Sequence, residues 1–299
     1  MDASTPHTPP PPLTDAAPAR VYETLALRAD GPVLHLTLNR PATRNAMSLA
    51  MVGELRQALA DAEAGGRTRA VVLRGAGGHF CAGADLKDMA AARMAPRTDG
   101  ADPVAAVNAR FGELCVAYAA SPLVVVAVLE GSVMGGGFGL ACVADVALAG
   151  HSARFRLPET ALGMVPAQIA PFLVERLGYS QARRLAVTGG RVDAAQALAL
   201  GLVHECHADD ALDAALAAVL RDVLACAPGA VAATKALMAR ARFTPPAELV
   251  ADAAAVFSRC AQGPEGLEGT TAFLQKRPPA WAAELATQAT TATTVPLAS

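Results

Sequence analysis

Two short stretches, Phe80-Cys81-Ala82-Gly83-Ala84-Asp85 and Met134-Gly135-Gly136-Gly137-Phe138-Gly139, hold the residues best suited to chemistry with the main chain. Each follows an apolar, strand-like run and opens a helical pattern. Backbone N–H groups at such turns can aim at one point and form an oxyanion hole without any side chain. Small residues belong there because a ligand must approach the backbone closely. A third stretch, Phe155-Arg156-Leu157-Pro158-Glu159, supplies a carboxylate a little further on. Two donor turns and one acid/base point to chemistry on an activated carbonyl.

Plainer readings compete with this one. A glycine segment alone is most simply a tight turn beside a close-packed helix, and a glutamate after a proline is most simply an exposed carboxylate at a helix start. A dinucleotide-binding loop fails on spacing, because the third glycine counted from Gly135 falls on Leu140. Ser132 sits in no G-x-S-x-G elbow, so a serine hydrolase has no support. The six histidines form no H-x-x-x-H pair, and the six cysteines no C-x-x-C, which leaves no metal site in view. The cysteines and methionines read as core packing in a reducing compartment. His79 reads as a loop residue at a cleft rim. His35, alternating away from Leu34 and Leu36, faces solvent or a neighbouring layer.

The elements that must position these groups follow from periodicity. Val33–Leu38 alternates and reads as a strand; Ser48 can cap a helix whose stripe is Leu49, Val52, Leu55 and Leu59. Ala70–Arg74 is a buried strand ending at Gly75 and leads to the first donor turn. Leu86–Met94 and Val104–Ala119 read as helices, with Ala95–Pro103 as a mobile surface loop between them. Leu123–Leu129 is a buried strand leading to the second donor turn, and Val143–Leu148 and Ala153–Phe155 are shorter strands. This repeated strand–turn–helix order predicts an α/β fold with a largely buried sheet. Later, Ala194–Leu200 ends at Gly201 and Val203–Cys206 is a short strand. Ala208–Ala225, Gly229–Ala241, Ala247–Ala261 and Pro264–Leu274 then read as helices. The expected division is a Pro-rich disordered tail over 1–20, a catalytic core over 21–205, a helical region over 206–281 and a flexible tail over 282–299.

With 299 residues, 53% hydrophobic and 17% charged, the chain can bury one large core. A net charge of −2 and a pI near 6.3 give no basic field for nucleic acid or an anionic membrane. No apolar run reaches membrane-spanning length and the N-terminus lacks a signal core, so a cytoplasmic protein is expected.

The motifs taken together resemble the crotonase, or enoyl-CoA hydratase/isomerase, superfamily. The resemblance runs from about Val21 to Trp281. It is carried by Leu38-Asn39-Arg40-Pro41 with Asn45-Ala46, FCAGADLKDM at 80–89, GGGFGLACVAD at 135–145 and FRLPETALGMVP at 155–166. Gly189–Gly201 with Leu202-Val203, and the closing Ala272-Phe273-Leu274-Gln275-Lys276-Arg277, follow in order. One such motif is weak; all of them in order are specific. The resemblance implies a spiral of ββα turns with a C-terminal helical trimerisation region, assembled as a homotrimer or homohexamer. It also implies an acyl-CoA thioester substrate, coenzyme A arriving with the substrate and no other cofactor. The oxyanion donors carry over to the N–H groups of Ala82 and Gly136, beside Gly135. Gly83, Ala84 and Asp85, with Ala82, then line the CoA cleft. Arg44 and Lys87 become candidates for the CoA phosphates, and Phe273 and Lys276 are candidates contributed at a subunit boundary. Glu159 matches the acid/base that exchanges a proton with the substrate's α-carbon.

The chain departs from that pattern in two places. Hydratases of the superfamily carry a second glutamate just after the triple glycine, where this chain has Gly139. Pro166-Ala167-Gln168-Ile169-Ala170-Pro171-Phe172 replaces a glycine-rich stretch and resembles the branch acting on 3-substituted glutaconyl thioesters, such as isohexenylglutaconyl-CoA and methylglutaconyl-CoA hydratases. The sequence therefore favours a one-glutamate hydratase in which Gln168 or a substrate carboxylate holds the water. A Δ3,Δ2-enoyl-CoA isomerase, which needs one base, is the rival, and a CoA- or RNA-binding scaffold without chemistry is a reading of another class.

Overall fold

The computed structural model of the protein describes residues 21–97, 100 and 102–283. The expected tails, apart from Ala282 and Ala283, and part of the Ala95–Pro103 loop lie outside the described residues.

The main sheet is ordered β1 (Leu25–Asp30), β2 (Val33–Leu38), β3 (Ala70–Gly75), β4 (Val124–Leu129), β6 (Val146–Gly150) and β9 (Glu205–His207). Only the β1–β2 hairpin is antiparallel; every later pairing in this sheet is parallel. Parallel strands covered on both faces read as unbroken apolar runs, and β4, VVVAVL, is buried along its whole length. Alternate residues build two cores. Val71, Leu73, Val125, Ala127, Leu129, Ala147 and Ala149 face α1 (Leu49–Ala64), α3 (Pro103–Ala120), α4 (Gly136–Val143) and α5 (Ala170–Thr188). Val72, Val126, Val128 and Leu148 face Leu212 and Leu216 of α7 (Leu212–Ala225). Fully burying each Val or Leu among these contributes about 1.5–3 kcal/mol, so a one-residue slip of any central strand is excluded.

A second, three-stranded sheet joins β5 (Ser132–Met134), β7 (Arg154–Arg156) and β8 (Arg191–Asp193), with β5–β7 parallel and β7–β8 antiparallel. The remaining helices are α2 (Leu86–Met94), α6 (Ala194–Ala199), α8 (Pro228–Ala241), α9 (Pro246–Gln262) and α10 (Pro264–Leu274). No single helix among the described residues is long and apolar enough to cross a membrane.

Local caps set two helix boundaries: Ser48 Oγ, the expected cap, accepts from Met51 N–H at the start of α1 (3.2 Å), and Asp85 Oδ1 accepts from Lys87 N–H at the start of α2 (2.9 Å). Elsewhere long-range bonds move them. The strand expected from Val143 begins only at Val146, because Asp145 turns the corner; its Oδ2 accepts from Val125 N–H (2.8 Å) and Lys235 Nζ (2.6 Å). The strand expected at Val203–Cys206 lies at Glu205–His207, since Leu202 and Val203 are drawn into the core. The helix expected from Ala208 starts at Leu212, after a 3-10 turn over Asp209–Ala211. β1 and α5 have no counterpart among the expected elements.

Candidate active site

The first donor turn is held by its neighbours on both sides. Cys81 N–H donates to Ser132 O (2.9 Å) and Met134 N–H to Cys81 O (2.9 Å), which lays the turn along β5. Asn45 braces the approach, its Nδ2 donating to the carbonyls of Ala76 (2.9 Å) and His79 (2.6 Å). His79 is a brace as well: its Nδ1 accepts from Ser132 N–H at 3.0 Å.

These bonds correct one sequence expectation. Ala82 N–H donates to Arg44 O at 2.9 Å and is not available to a ligand. Met47 forms a parallel bridge with Ala84, bonding to Gly83 O (2.8 Å) and Asp85 N–H (2.9 Å). In such a bridge Ala84's own N–H and C=O point away from Met47. Its N–H has no acceptor among the described residues, and Ala84 lines the cavity described below. The donor of the first turn is therefore Ala84, two residues beyond Ala82 along a main chain whose intervening residue is Gly83 at φ +98°.

The second turn supplies Gly136, the first residue of α4, whose N–H is one of the orphan donors at a helix start. Gly135 stands before it at φ +49°, and its N–H donates to Arg156 O of β7 at 3.0 Å. The two turns touch. A Cβ placed on Gly135 would touch Gly83 Cα at 3.6 Å and stand only 2.9 Å from Glu159 Oε1, so a side chain there would displace the carboxylate as well as strain a backbone at positive φ.

Glu159 lies half-buried just after β7. Its Oε2 is buried and has no hydrogen-bond partner among the described residues. Burial pushes its pKa above the usual carboxylate value, only partly offset by its own backbone N–H. Glu159 shares a cavity of about 130 Å³ with Ala84, Gly136, Asp85, Asp88, Asn108, Phe111, Gln168 and Ile169, among others. Of the three carboxylates on that wall, two are engaged. Asp88 Oδ2 accepts from Leu49 N–H (2.7 Å), and Asp85 caps α2 and pairs with Arg40 (2.8 Å). Burial raises the Asp85 pKa, but the Lys87 N–H and the Arg40 guanidinium outweigh it and hold the carboxyl below its usual range. Of the three, Glu159 presents a buried carboxylate oxygen with no partner among the described residues.

The place of the absent second acid is filled. A Cβ on Gly139 would stand 2.3 Å from Ile169 Cγ2 and 3.5 Å from Phe111 Cζ. Beside it, Gln168 Nε2 donates to Asn108 Oδ1 at 2.8 Å, and both amides line the cavity. The three atoms nearest a Cβ on Gly112 all belong to Gln168, with Oε1 at 2.1 Å. Sequence reasoning named Gln168, and Ile169 only within the segment 166–172, but not Asn108, Phe111 or Gly112. The glycine inside an otherwise alanine-rich helix was the one visible sign.

The structure thus brings Gly83, Ala84, Asp85, Gly135, Gly136, Glu159 and Gln168 together. Arg44 and Lys87 are exposed and outside the cavity wall, and Phe273 and Lys276 lie exposed at the end of α10, away from the cavity of their own chain. Two backbone donors beside one buried carboxylate suit a reaction in which negative charge grows on a carbonyl oxygen while a proton moves at a nearby carbon.

The family model for enoyl-CoA hydratase/isomerase matches residues 28–284. The chain belongs to this family. It is 33% identical over 249 residues to the 2,3-dehydroadipyl-CoA hydratase of Escherichia coli, covering 83% of this chain and 94% of that one. It is 34% identical over 260 residues to a probable enoyl-CoA hydratase of Rhizobium meliloti, covering 86% and 96%. Among solved structures, Pseudomonas aeruginosa AtuE superposes with a TM-score of 0.84 at 55% identity, over 87% of this chain and all 100% of that one. An enoyl-CoA hydratase/isomerase from Marinobacter aquaeolei gives 0.84 at 53% identity, over 87% and 99%. The fold is that of the crotonases, α/β with a helical C-terminal region, and the chain is an enzyme of the enoyl-CoA hydratase or isomerase type.

Proposed function

We propose that this family member hydrates a branched 2-enoyl-CoA, a 3-substituted glutaconyl thioester being the best candidate, with Glu159 as its acid/base. The observation carrying the reading is the unpartnered, buried Glu159 Oε2 beside Ala84 and Gly136. In this reaction Glu159 takes a proton from water as the water oxygen bonds to C3. The π pair of the C2–C3 double bond forms a C1–C2 double bond as the carbonyl π pair moves onto the thioester oxygen, where the N–H groups of Ala84 and Gly136 stabilise the enolate. One such donor is worth roughly 3–4 kcal/mol of barrier. Collapse of the enolate draws the proton from Glu159 to C2, so the carboxylate is restored and one water has been added.

The water needs a second anchor where Gly139 offers none. The Gln168–Asn108 pair supplies amide donors and acceptors in that wall. Among the described residues the cavity wall includes no lysine or arginine, so a distal carboxylate of the substrate would rest on the same amides. Arg44 and Lys87 would meet the CoA phosphates, and Phe273 and Lys276 would reach a neighbouring copy's cleft in a homotrimer or homohexamer. A Δ3,Δ2-enoyl-CoA isomerase is the second reading, favoured by the single available carboxylate.

A mass-resolved turnover assay on paired thioesters decides between them. Addition of one water to 3-methylglutaconyl- or isohexenylglutaconyl-CoA is the expected result. Conversion of 3-enoyl- to 2-enoyl-CoA without change of mass, and no hydration, would replace the proposal by the isomerase. No turnover on either set would leave a binding scaffold.

A further inference from the structure

The outer face of the small sheet carries a charged cluster that the reaction does not use. Phe155 and Val192 turn inward, 1% and 6% exposed, so their strand neighbours face outward. The register sets Met134, Arg156 and Arg191 in one row and Ser132, Arg154 and Asp193 in the next. Met134, Arg154, Arg156, Arg191 and Asp193, with Gln196, line a hollow of about 390 Å³ that shares no lining residue with the Glu159 cavity.

Two guanidinium groups directly opposite each other on paired strands repel. Among the described residues no carboxylate pairs with either of them. Arg156 Nε is buried without a hydrogen-bond partner, and among the described residues neither Arg156 nor Arg191 has an ion pair. Asp193, the one acid on the wall, lies opposite Arg154 and caps α6, its Oδ1 accepting from Gln196 N–H at 2.8 Å. Arg154 in turn donates to the carbonyls of His151 and Ala153, 2.8 Å each. What remains is a pair of unengaged planar forks in a hollow, the donor arrangement that suits one oxyanion held by several N–H groups.

We propose that this hollow is a binding site for a small oxyanion, phosphate or carboxylate, held between Arg156 and Arg191. The site lies one strand behind the second donor turn, because the Arg156 carbonyl is the acceptor that fixes Gly135 N–H at 3.0 Å.

The test is calorimetric titration of the full chain with inorganic phosphate and, separately, with succinate, at ionic strength held constant by chloride. Saturable binding of at least one is expected, and which one saturates identifies the source of the oxyanion. R191Q should weaken it by at least about tenfold, and R191K should recover part of the loss, which guards against a merely misfolded variant. Binding that R191Q leaves unchanged would belong to the thioester cleft and overturn the assignment. So would no saturation by either anion, and a fall in sedimentation coefficient in R191Q would then show that the arginines meet carboxylates of a second copy.

Discussion

Glu159 combines two properties that usually oppose each other: it is charged in its working form and it is held where charge is disfavoured. Burial raises its pKa, so the folded protein binds this proton more tightly than the unfolded chain does. Stability from this group is therefore present at low pH and falls as pH rises from the ordinary glutamate range through the raised folded value. Turnover runs the other way, because the carboxylate is the base that starts the reaction. Glu159→Gln should accordingly lower turnover about 10³-fold while raising the melting temperature at pH 7 more than at pH 4. Measured kcat/KM for the wild type should rise with pH through a value above the usual carboxylate range. A variant that loses turnover with no gain in stability at pH 7 would contradict the burial argument.

Gly139 makes the complementary case. Its missing side chain is not an empty space awaiting a glutamate, since Ile169, 2% exposed, occupies it. Gly139→Glu alone should destabilise the protein by about 1–3 kcal/mol through overpacking, as measured by urea unfolding. Adding Ile169→Ala should return part of that loss, and a double-mutant cycle should give a coupling of at least about 0.5 kcal/mol. The glycine was legible in the sequence, but its cause was not, because the partner is thirty positions away in chain number and adjacent only after folding. The same limit produced the Ala82 assignment. Sequence identifies a small-residue turn, whereas the direction of each N–H depends on Arg44 O and Met47, which arrive from a separate segment.

At the level of elements, α3 has one glycine, Gly112, in its buried face, where Ala would favour the helix by about 1 kcal/mol. The three atoms nearest a Cβ there are those of Gln168, the end of a flexible side chain rather than backbone. Gly112→Ala should thus leave stability within about 1 kcal/mol of wild type but swing Gln168 out of its bond to Asn108. If Gln168 anchors the water, hydration should fall to the level of Gln168→Ala, while any isomerisation dependent on Glu159 alone should persist. Equal rates of hydration in Gly112→Ala and wild type would remove Gln168 from the mechanism. Elements themselves were read well where the signal was local: Asp85 before α2 and Pro264 opening α10 mark those helices within the sequence. β1 was missed because only its first residue, Leu25, is buried. α5 was missed because Ile169 gives it no side-chain cap and Gly178, at φ +70°, interrupts its pattern.

At the scale of the whole molecule, the C-terminal helices are tied to the sheet by a few strong polar contacts. Lys235 of α8 donates to Leu123 O (2.6 Å) and to Asp145 (2.6 Å), and Arg69 at the start of β3 donates to Leu224 O (3.0 Å) and Trp281 O (3.2 Å). α9 and α10 nevertheless leave large apolar side chains outside: Val250 is 66% exposed, Phe257 75%, Leu267 60% and Phe273 83%. Val250 and Phe257 are seven residues apart and share one face of α9. Exposed apolar surface on that scale is costly for an isolated chain and marks an interface. In the homotrimer or homohexamer proposed above, copies of this chain cover it. Phe257→Asp should then lower the sedimentation coefficient toward that of a monomer while far-UV circular dichroism stays unchanged, since Phe257 contributes little to the core of its own chain. If Phe273 and Lys276 complete a neighbour's thioester cleft, the monomeric variant should also show a raised KM for acyl-CoA. A dissociated variant with an unchanged KM would place those two residues outside the site, and a variant that stays assembled would move the interface off α9.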